Sequence, residues 1–269
     1  MKRVLKKWAE HFPVLVHLYR LVREELRFIN KKVTKTPFGF MLAGDKTTEN
    51  GTFEPEETIV ISEVLNDADT FIDIGANIGF FTCLARSKGK KVICFEPHPS
   101  NVKALFRNLK ANQWDDVEVW PIGLSNLAGS MTLWGGGTGA SFVEGWAGVS
   151  KAWYQTVAVN TVDNILNERL SGTKILVKVD VEGAEYDLLK GAGSLLSMYP
   201  RPTWIIEIVL DTHRYEPNPN FAKTFDLLWD NGYEARAIGK GDTPITKEQV
   251  LSWQQKGKCD IDCYNWIFS

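Results

Sequence analysis

A ten-residue stretch, Thr70 to Gly79, constrains the fold more than any other part of the chain. It begins as an apolar run that contains Asp73, and Gly75 and Gly79 then break the run into a tight turn. A segment with helical character, 78–88, follows at once. Glycine in such a turn lets a ligand approach the backbone at the start of the helix. The stretch therefore predicts a strand–turn–helix unit with a binding site at the turn.

The same alternation of strand and helix continues along the chain. Strands are predicted at 70–74, 91–95, 117–122, 175–179 and 204–209, and helices at 54–65, 78–88, 99–112, 183–198 and 220–231. The strands are continuous apolar runs, which is typical of parallel strands buried on both faces. Two aromatic-rich runs, 233–238 and 264–268, predict a terminal hairpin. We therefore expect an α/β fold with a Rossmann-like, doubly wound sheet of about seven strands, the last one antiparallel.

The chain length of 269 residues suits one large domain with a short extension. We predict an N-terminal helical, basic extension over 1–45, which includes a strand arm at 37–44, and a single domain over 46–269. Within that domain, 125–160 lacks the expected crossover helix and contains a glycine-rich run at 135–141. This segment is predicted to be an inserted hairpin whose loop acts as a mobile lid or substrate loop.

The N-terminal segment is strongly basic, with nine Lys or Arg against three Glu in residues 1–32. Its apolar part is too short and too charged for a membrane span or a signal peptide. We expect a helix packed on the main domain. The alternative is a basic amphipathic helix, in which residues 1–30 make peripheral contact with a membrane surface. The predicted compartment is cytoplasmic, with that peripheral contact as the variant.

The cysteines and the net charge narrow the classes further. Cys83 and Cys94 fall in a predicted helix and strand and are interpreted as buried apolar residues. Cys259 and Cys263 have no histidine nearby, so a metal site there is not favoured. A net charge of −2 gives no reason to expect a nucleic-acid partner.

The residues around the glycine turn indicate a particular ligand. Glu96 ends the second strand, where an acid is placed to accept hydrogen bonds from the two hydroxyls of a ribose. Ala76 and Asn77 stand where a dinucleotide-binding turn has its middle glycine. Asp73 would repel a pyrophosphate but suits an ammonium group. A nucleoside with a cationic amino-acid end, S-adenosylmethionine, fits this pattern better than a nicotinamide dinucleotide.

Three motifs in this order resemble the FkbM family of methyltransferases. They are Phe71-Ile72-Asp73-Ile74-Gly75-Ala76-Asn77-Ile78-Gly79, then Phe95-Glu96-Pro97-His98-Pro99, then Lys178-Val179-Asp180-Val181-Glu182-Gly183-Ala184-Glu185. The resemblance covers about residues 52 to 210. It implies a class I methyltransferase fold that uses S-adenosylmethionine, and O-methylation of sugars, glycolipids or polyketide-type products.

The resemblance also implies a set of cofactor-binding residues. They are Glu54, Asp73, Gly75, Ala76, Asn77, Gly79, Glu96, Pro97, Gly123 and Ser125. Asp73 would lie near the cofactor's amino group and Glu96 would hold the ribose. Pro97 would shape the turn beside the adenine, with Gly123 and Ser125 flanking it. Glu54 would reach the methionine end, or else serve only as an acid favoured at a helix start.

Four residues are candidates for catalysis because they follow the fourth and fifth strands, whose carboxyl ends face the ligand site. They are Asp180, Glu182, Glu207 and His213. A carboxylate inside an apolar strand is unfavourable without a partner, so Glu207 is expected to face the site or a cation such as Lys178. A carboxylate or His213 would accept the hydroxyl proton of the acceptor.

Two further expectations concern the site. Asp180, Glu182 and Glu207 are able to hold Mg²⁺, but a metal requirement is not favoured and no metal ligands are assigned. Trp134, Trp146 and Trp153 surround the glycine-rich loop and are expected either to stack on the acceptor or to fill a core or an oligomer interface.

The predicted function is S-adenosylmethionine-dependent O-methylation of a hydroxyl on a sugar, glycan or glycolipid. The alternatives are O-methylation of a small natural product or lipid hydroxyl, and a non-catalytic adaptor that keeps the fold. Nucleic acid is not an expected acceptor, because the core is not basic. The sequence does not indicate the oligomeric state.

Overall fold

The computed structural model describes residues 31–149, 151, 153–167, 169–211 and 216–269, together with Val22. The predictions made for residues 1–30, apart from Val22, and for His213 lie outside the described residues. Within the described part of the chain, no helix has both the length and the apolar character needed to cross a bilayer.

The N-terminal part of the described chain is a small hairpin followed by two helices. The hairpin pairs β1 (Thr34–Lys35) with β2 (Met41–Leu42), so the arm predicted at 37–44 is partly turn. Helix α1 (Lys46–Asn50) is capped by the Asp45 carboxylate, and α2 (Pro55–Val64) follows.

The remaining elements alternate along the chain as predicted. The strands are β3 (Thr70–Ile74), β4 (Lys91–Phe95), β5 (Glu118–Trp120), β6 (Gly123–Leu124), β7 (Gly129–Trp134), β8 (Tyr154–Asn160), β9 (Ile175–Val179), β10 (Thr203–Glu207), β11 (Ala235–Ala237), β12 (Pro244–Ile245) and β13 (Asn265–Phe268). The helices are α3 (Phe80–Ser87), α4 (Pro99–Ala111), α5 (Val162–Leu166), α6 (Glu185–Lys190), α7 (Gly193–Leu196), α8 (Phe221–Asp230) and α9 (Lys247–Lys256).

The central sheet has the order β12-β11-β13-β10-β9-β3-β4-β5. The five strands from β10 to β5 are parallel, and β13 enters antiparallel between β10 and β11. The α/β class and the antiparallel last strand are confirmed. The two-residue β12 raises the strand count to eight.

The sheet is covered on both faces, as buried parallel strands require. One apolar cluster contains Phe221, Phe225 and Trp266, and the other contains Phe71 and Phe80. Cys83 and Cys94 are fully buried, as predicted. Side chains of β3 and β9 are buried along their whole length, including Asp73 and Lys178, which are register partners in these neighbouring strands. Two charged groups therefore lie inside the sheet.

Several predicted elements differ from the structure. The third predicted strand, 117–122, covers only Glu118–Trp120, and the polar segment between the last two aromatic-rich runs contains α9. The helix expected at 183–198 is divided into α6 and α7 at Gly191 and Gly193, since glycine is a poor helix former, and the absence of a Cβ at Gly191 lets the Ser125 carbonyl oxygen approach. The fifth strand ends at Glu207 rather than at residue 209.

The insertion at 125–160 contributes to a separate small sheet. Strand β8 lies between β6 and β7, and the β7–β8 pair is the predicted hairpin. The glycine-rich run folds back at the end of this hairpin, where Trp134 and Ser141 exchange backbone hydrogen bonds. These hydrogen bonds therefore hold the two ends of the glycine-rich run together.

Candidate functional site

The glycine turn brings the ends of β3 and β9 into direct contact. Gly75 has φ +87°, and a Cβ there would lie 1.8 Å from the Asp180 carbonyl oxygen. The Asp180 amide donates to the Ile74 carbonyl at 2.9 Å, which holds this approach. A Cβ at Gly79 would lie 2.3 Å from Leu105, so this second glycine lets α4 pack on the turn.

Asp73 is buried under the turn. The Thr82 hydroxyl donates to its carboxylate at 2.6 Å. Burial raises the pKa of Asp73 to about 6, although Lys178 and the Thr82 hydrogen bond act in the opposite direction. At neutral pH the carboxylate is therefore mostly ionised and able to attract a cation.

Lys178 is the buried counter-ion of this region. Its Nζ lies 3.3 Å from Asp180 Oδ2 and 3.5 Å from Glu57 Oε1. It also stands 4.8 Å from the centre of the Phe81 ring. Burial alone would lower the pKa of Lys178, but the neighbouring carboxylates raise it well above its usual value. Lys178 is thus a fixed ammonium group.

Glu207 does not form the predicted ion pair with Lys178. One carboxylate oxygen of Glu207 instead lies within 4.8 Å of oxygens of Glu54 and Asp180. Burial raises the pKa of Glu207 well above its usual value, and the nearby Asp180 charge raises it further. The structure brings Glu54 together with Asp180 and Glu207, whereas the carboxylates considered for the disfavoured Mg²⁺ site were Asp180, Glu182 and Glu207.

Glu54 reaches Asp180 and Glu207 from the start of α2. Its backbone has φ +40°, and its carboxylate makes no capping hydrogen bond to the helix. Both interpretations of Glu54, as a residue that reaches the methionine end and as an acid favoured by the helix dipole, stay predictions. Asn77 and Glu182 also have positive φ. Backbone strain in non-glycine residues gathers at functional sites, and here it falls on three predicted site residues.

Glu96 is held rigidly at the end of β4. The backbone amides of Asn77 and His98 donate to its two oxygens, each at 2.8 Å. Burial raises the pKa of Glu96 to about 7, while these hydrogen bonds lower it. The arrangement fixes the direction of the carboxylate beside the glycine turn.

Two cavities meet at the carboxyl ends of β3 and β9. The first has about 530 Å³ of empty volume including its mouth, and Glu96, Pro97 and Gly123 line it. The second has about 560 Å³, and Asp73 and Ala76 line it. The residues common to both are Gly75, Asn77, Thr138 and Asp180. The two cavities thus adjoin around the turn.

Most predicted site residues reach this region. Asp180 and Glu182 line the first cavity together with the residues predicted around the ribose and adenine. Four of the described site residues do not line either cavity: Glu54, Gly79, Ser125 and Glu207. The Ser125 hydroxyl donates to the Asn126 side chain at 3.4 Å. The structure therefore gives Gly79 and Ser125 packing and hairpin roles.

Glu182 is anchored by the insertion. The Trp146 indole donates to Glu182 Oε2 at 2.5 Å, and the Ser141 hydroxyl donates to the Glu182 carbonyl at 2.5 Å. A Cβ at Gly183 would lie 2.4 Å from the Trp146 ring. Burial raises the pKa of Glu182 to about 7. Trp146 is 2% exposed, so of its two expected roles the structure favours the one in which the ring fills the core over stacking on an acceptor.

The glycine-rich loop covers the first cavity. Gly137, Thr138, Ala140 and Phe142 are among the lining residues. We expected this loop to act as a lid or as a substrate loop, and the structure places it beside Glu96. Sequence reasoning also missed Asn101, which lines the same cavity from the first turn of α4. Its spacing from Glu96 was the available signal.

The family comparison agrees with the geometry of the site. A family model described as the methyltransferase FkbM domain matches residues 73–235, which is more than half of the chain. The match begins at the buried aspartate of β3 and extends to β11. It therefore includes the glycine turn, the acid after β4 and the acids after β9.

Two curated relatives align with part of the chain. Hexuronic acid methyltransferase AglP of Haloferax volcanii is 28% identical over 137 residues, which is 51% of this chain and 55% of the relative. Methyltransferase 1 of Beauveria bassiana is 29% identical over 145 residues, or 46% of this chain and 58% of the relative. The alignments thus span little more than half of each relative.

Solved structures resemble the chain at a lower level. A precorrin-6y C5,15-methyltransferase from Geobacter metallireducens has a TM-score of 0.42 and 11% identity, with coverage of 84% of this chain and 90% of that chain. The methyltransferase domain of a bacterial Hen1 has a TM-score of 0.43 and 14% identity, with coverage of 80% and 96%. The fold assignment here rests on the strand order and the family match.

Proposed function

Because the chain belongs to the FkbM methyltransferase family, we propose that it transfers a methyl group from S-adenosylmethionine to a hydroxyl oxygen of a sugar, glycan or glycolipid. One observation carries this proposal. The acid after β4 and the glycine turn line a cavity that continues toward several carboxylates, which matches a nucleoside with a cationic end.

The residues present fit such a cofactor. Gly75 and Asn77 line both cavities, so the backbone of the glycine turn is open to a ligand from either side. Oδ1 of Asn77 is buried and has no hydrogen-bond donor among the described residues, so it is able to accept one from a ligand. Glu96 would hold the ribose, and Asp73 would face the ammonium end across the second cavity. Each assignment pairs a hydrogen-bond donor or a cation of the cofactor with an acceptor or a carboxylate of the chain.

The catalytic contribution of the chain is orientation and proton acceptance. The bound cofactor supplies an electrophilic methyl group on a sulfonium. Asp180 lines both cavities and marks the point where the acceptor would meet the cofactor. Glu182, with a pKa of about 7, is the group we assign as proton acceptor, because a base works best with a pKa near the working pH. Enclosure by the glycine-rich loop would limit access of water.

The acceptor class is the least constrained part of the proposal. One relative is named a hexuronic acid methyltransferase, which supports a saccharide. O-methylation of a small natural product or a lipid hydroxyl is the alternative, and a non-catalytic adaptor is the second. An intact glycine turn and ribose acid favour an enzyme over an adaptor.

A requirement for Mg²⁺ stays the disfavoured variant. The oxygens of Glu54, Asp180 and Glu207 lie close enough to share a cation. The cationic end of the cofactor offers these carboxylates a charge partner without a metal ion. Equal turnover with magnesium and with a chelator would support the metal-free form, and loss of turnover with the chelator would contradict it.

The first experiment is calorimetric titration with S-adenosylhomocysteine. We expect micromolar binding that weakens about 10-fold or more in Asp73→Ala and Glu96→Ala, since hydrogen bonds to charged groups are worth about 1.5–3 kcal/mol. Glu118→Ala is the matched control, because Glu118 is a strand acid paired with Arg169 outside the cavities. Failure of the unmodified protein to bind would refute the cofactor assignment.

The second experiment is methyl transfer to a panel of hexuronate, neutral sugar, glycolipid and lipid acceptors. The proposal expects product with a saccharide-bearing acceptor. Loss of turnover in Glu182→Gln, with cofactor binding retained, would support its role as base. Unchanged turnover in that variant would transfer the role to Glu207 or His213, and Glu207→Gln and His213→Ala test each in turn.

A further inference from the structure

Asn101 forms a bridge between two parts of the site. It is the third residue of α4 and is 2% exposed. Its Nδ2 donates to Glu96 Oε1 at 3.3 Å and to the Gly137 carbonyl at 3.0 Å. The Gly137 carbonyl is an acceptor only, so its contact with Nδ2 fixes the orientation of the amide. The oxygen of the amide must point away from these two partners.

That oxygen has no donor in the described part of the chain. Asn101 Oδ1 is buried, and the residue lines the first cavity beside Glu96. A buried acceptor without a donor is unfavourable, and native structures rarely leave one unless a ligand or water completes it. The geometry thus marks a hydrogen-bond donor of the ligand as the partner of Oδ1.

The occupancy of Glu96 indicates which donor this is. Glu96 Oε1 already accepts hydrogen bonds from the His98 amide and from Asn101, and Oε2 accepts one from the Asn77 amide. A ribose has two neighbouring hydroxyl donors. Glu96 retains room mainly on Oε2, so one hydroxyl is satisfied there and the other needs an acceptor close by. Asn101 Oδ1 offers that acceptor, because it belongs to the same side-chain amide whose Nδ2 contacts Glu96.

We propose that Asn101 is a cofactor-binding residue whose Oδ1 accepts a hydrogen bond from a ribose hydroxyl and whose Nδ2 ties the glycine-rich loop over the same cavity. This inference rests on the proposed function, since it assumes a nucleoside cofactor. It assigns to one side chain both the recognition of the ribose and the closure of the loop.

The loop side of the bridge extends to the centre of the site. Gly137 precedes Thr138, which lines both cavities although its side chain is exposed. The Gly137 carbonyl is therefore a suitable point at which to hold the loop. A cofactor that orders Asn101 would order the loop through this one hydrogen bond.

A binding cycle tests the ribose contact. The Kd is measured calorimetrically for S-adenosylhomocysteine and for its 2′-deoxy and 3′-deoxy analogues, with wild type and Asn101→Ala. One net hydrogen bond corresponds to roughly a 3- to 10-fold change in Kd. We expect wild type to discriminate against one deoxy analogue by about that factor and Asn101→Ala to lose this discrimination. Asn112→Ala, an amide at the end of the same helix that bonds Met41, is the matched control.

Hydrogen exchange tests the loop contact. In wild type, S-adenosylhomocysteine should slow exchange in peptides that span 135–149, and this slowing should be lost in Asn101→Ala. Asn101→Leu fills the volume of the side chain but offers neither a donor nor an acceptor. It should likewise lose both the ribose discrimination and the slowing of the loop, and it provides a second variant if Asn101→Ala does not fold.

The outcomes distinguish this inference from the proposed function. If wild type binds S-adenosylhomocysteine but Asn101→Ala keeps full discrimination against both deoxy analogues, the ribose contact is refuted while the cofactor assignment stands. If loop exchange slows equally in wild type and in both variants, the tie to Gly137 is refuted. If wild type binds no S-adenosylhomocysteine, the inference falls together with the proposed function.

Discussion

The substitution Gly75→Ala isolates the close contact on which the site is built. Gly75 has φ +87°, which costs a non-glycine residue about 1–2 kcal/mol. Its Cβ would also lie 1.8 Å from the Asp180 carbonyl oxygen, whereas Cβ contacts below about 3.0 Å essentially do not occur in proteins. The ends of β3 and β9 must then separate by more than 1 Å, which breaks the bond from the Asp180 amide to Ile74 and costs about 1–3 kcal/mol more. We expect a loss of about 3 kcal/mol or more in the free energy of unfolding.

Two glycines provide matched controls for this measurement. Gly89 has φ +77° with no heavy atom within 4 Å of a built Cβ, so Gly89→Ala reports the backbone strain alone. Gly139 has neither positive φ nor a close neighbour, so Gly139→Ala should change the free energy of unfolding by less than about 0.5 kcal/mol. Urea denaturation of the three variants, with S-adenosylhomocysteine titration alongside, gives the comparison.

Two outcomes would contradict the steric role given to Gly75. If Gly75→Ala destabilises the protein no more than Gly89→Ala, the contact between the turn and Asp180 is not a steric constraint. If Gly75→Ala also retains cofactor binding, the turn is not the cradle of the site. The expected order of destabilisation is Gly75→Ala, then Gly89→Ala at about 1 kcal/mol, then Gly139→Ala.

Three further predictions follow from the buried titratable groups. Burial raises the native pKa of Glu182 to about 7 from 4.5, so between these pH values the native state binds a proton that the unfolded state has lost, and the free energy of unfolding falls as pH rises. Glu182→Gln should flatten this decline by up to about 3 kcal/mol in urea denaturation measured across pH. An unchanged slope would contradict the prediction. Lys178→Met should destabilise by about 3–5 kcal/mol in the same assay, since it strands buried carboxylates, and a neutral effect would exclude the counter-ion role. In thiol labelling of the native protein, the half-buried Cys259 should react before Cys83 and Cys94, because burial shields these two thiols and raises their pKa values. Equal labelling rates for the three cysteines would contradict the burial of Cys83 and Cys94.

The sequence predicted the central strands well, while the cofactor-binding residues stay predictions. Strands β3, β4 and β9 have the predicted bounds because each is a continuous apolar run limited by polar residues. Asp73 and Glu96 were identifiable because a charged residue in or directly after such a run has few explanations apart from a site. In these cases the neighbouring residues in the chain are enough to predict which strand holds Asp73 and which strand Glu96 follows.

The parts that the sequence did not predict depend on partners that lie far away in the chain. The pairing of Glu54 with Asp180 and Glu207 depends on how α2 packs, which no local period encodes. The pairing of Trp146 with Glu182 likewise depends on the path of the insertion. In each case a distant contact overrides the local preference.

The adjacency of β3 and β9 also has a consequence for how the protein folds. Lys174 donates its amide to the Asp69 side chain across 105 residues of intervening chain. The pairing of β3 with β9 at the centre of the sheet therefore joins residues that are far apart in the chain. Such a pairing is expected to form late, because closing the long intervening loop costs conformational entropy. A nascent chain that ends before β9 contains Asp73 and Glu96 but neither Lys178 nor Asp180. The two halves of the candidate site therefore come together only once β9 has joined the sheet.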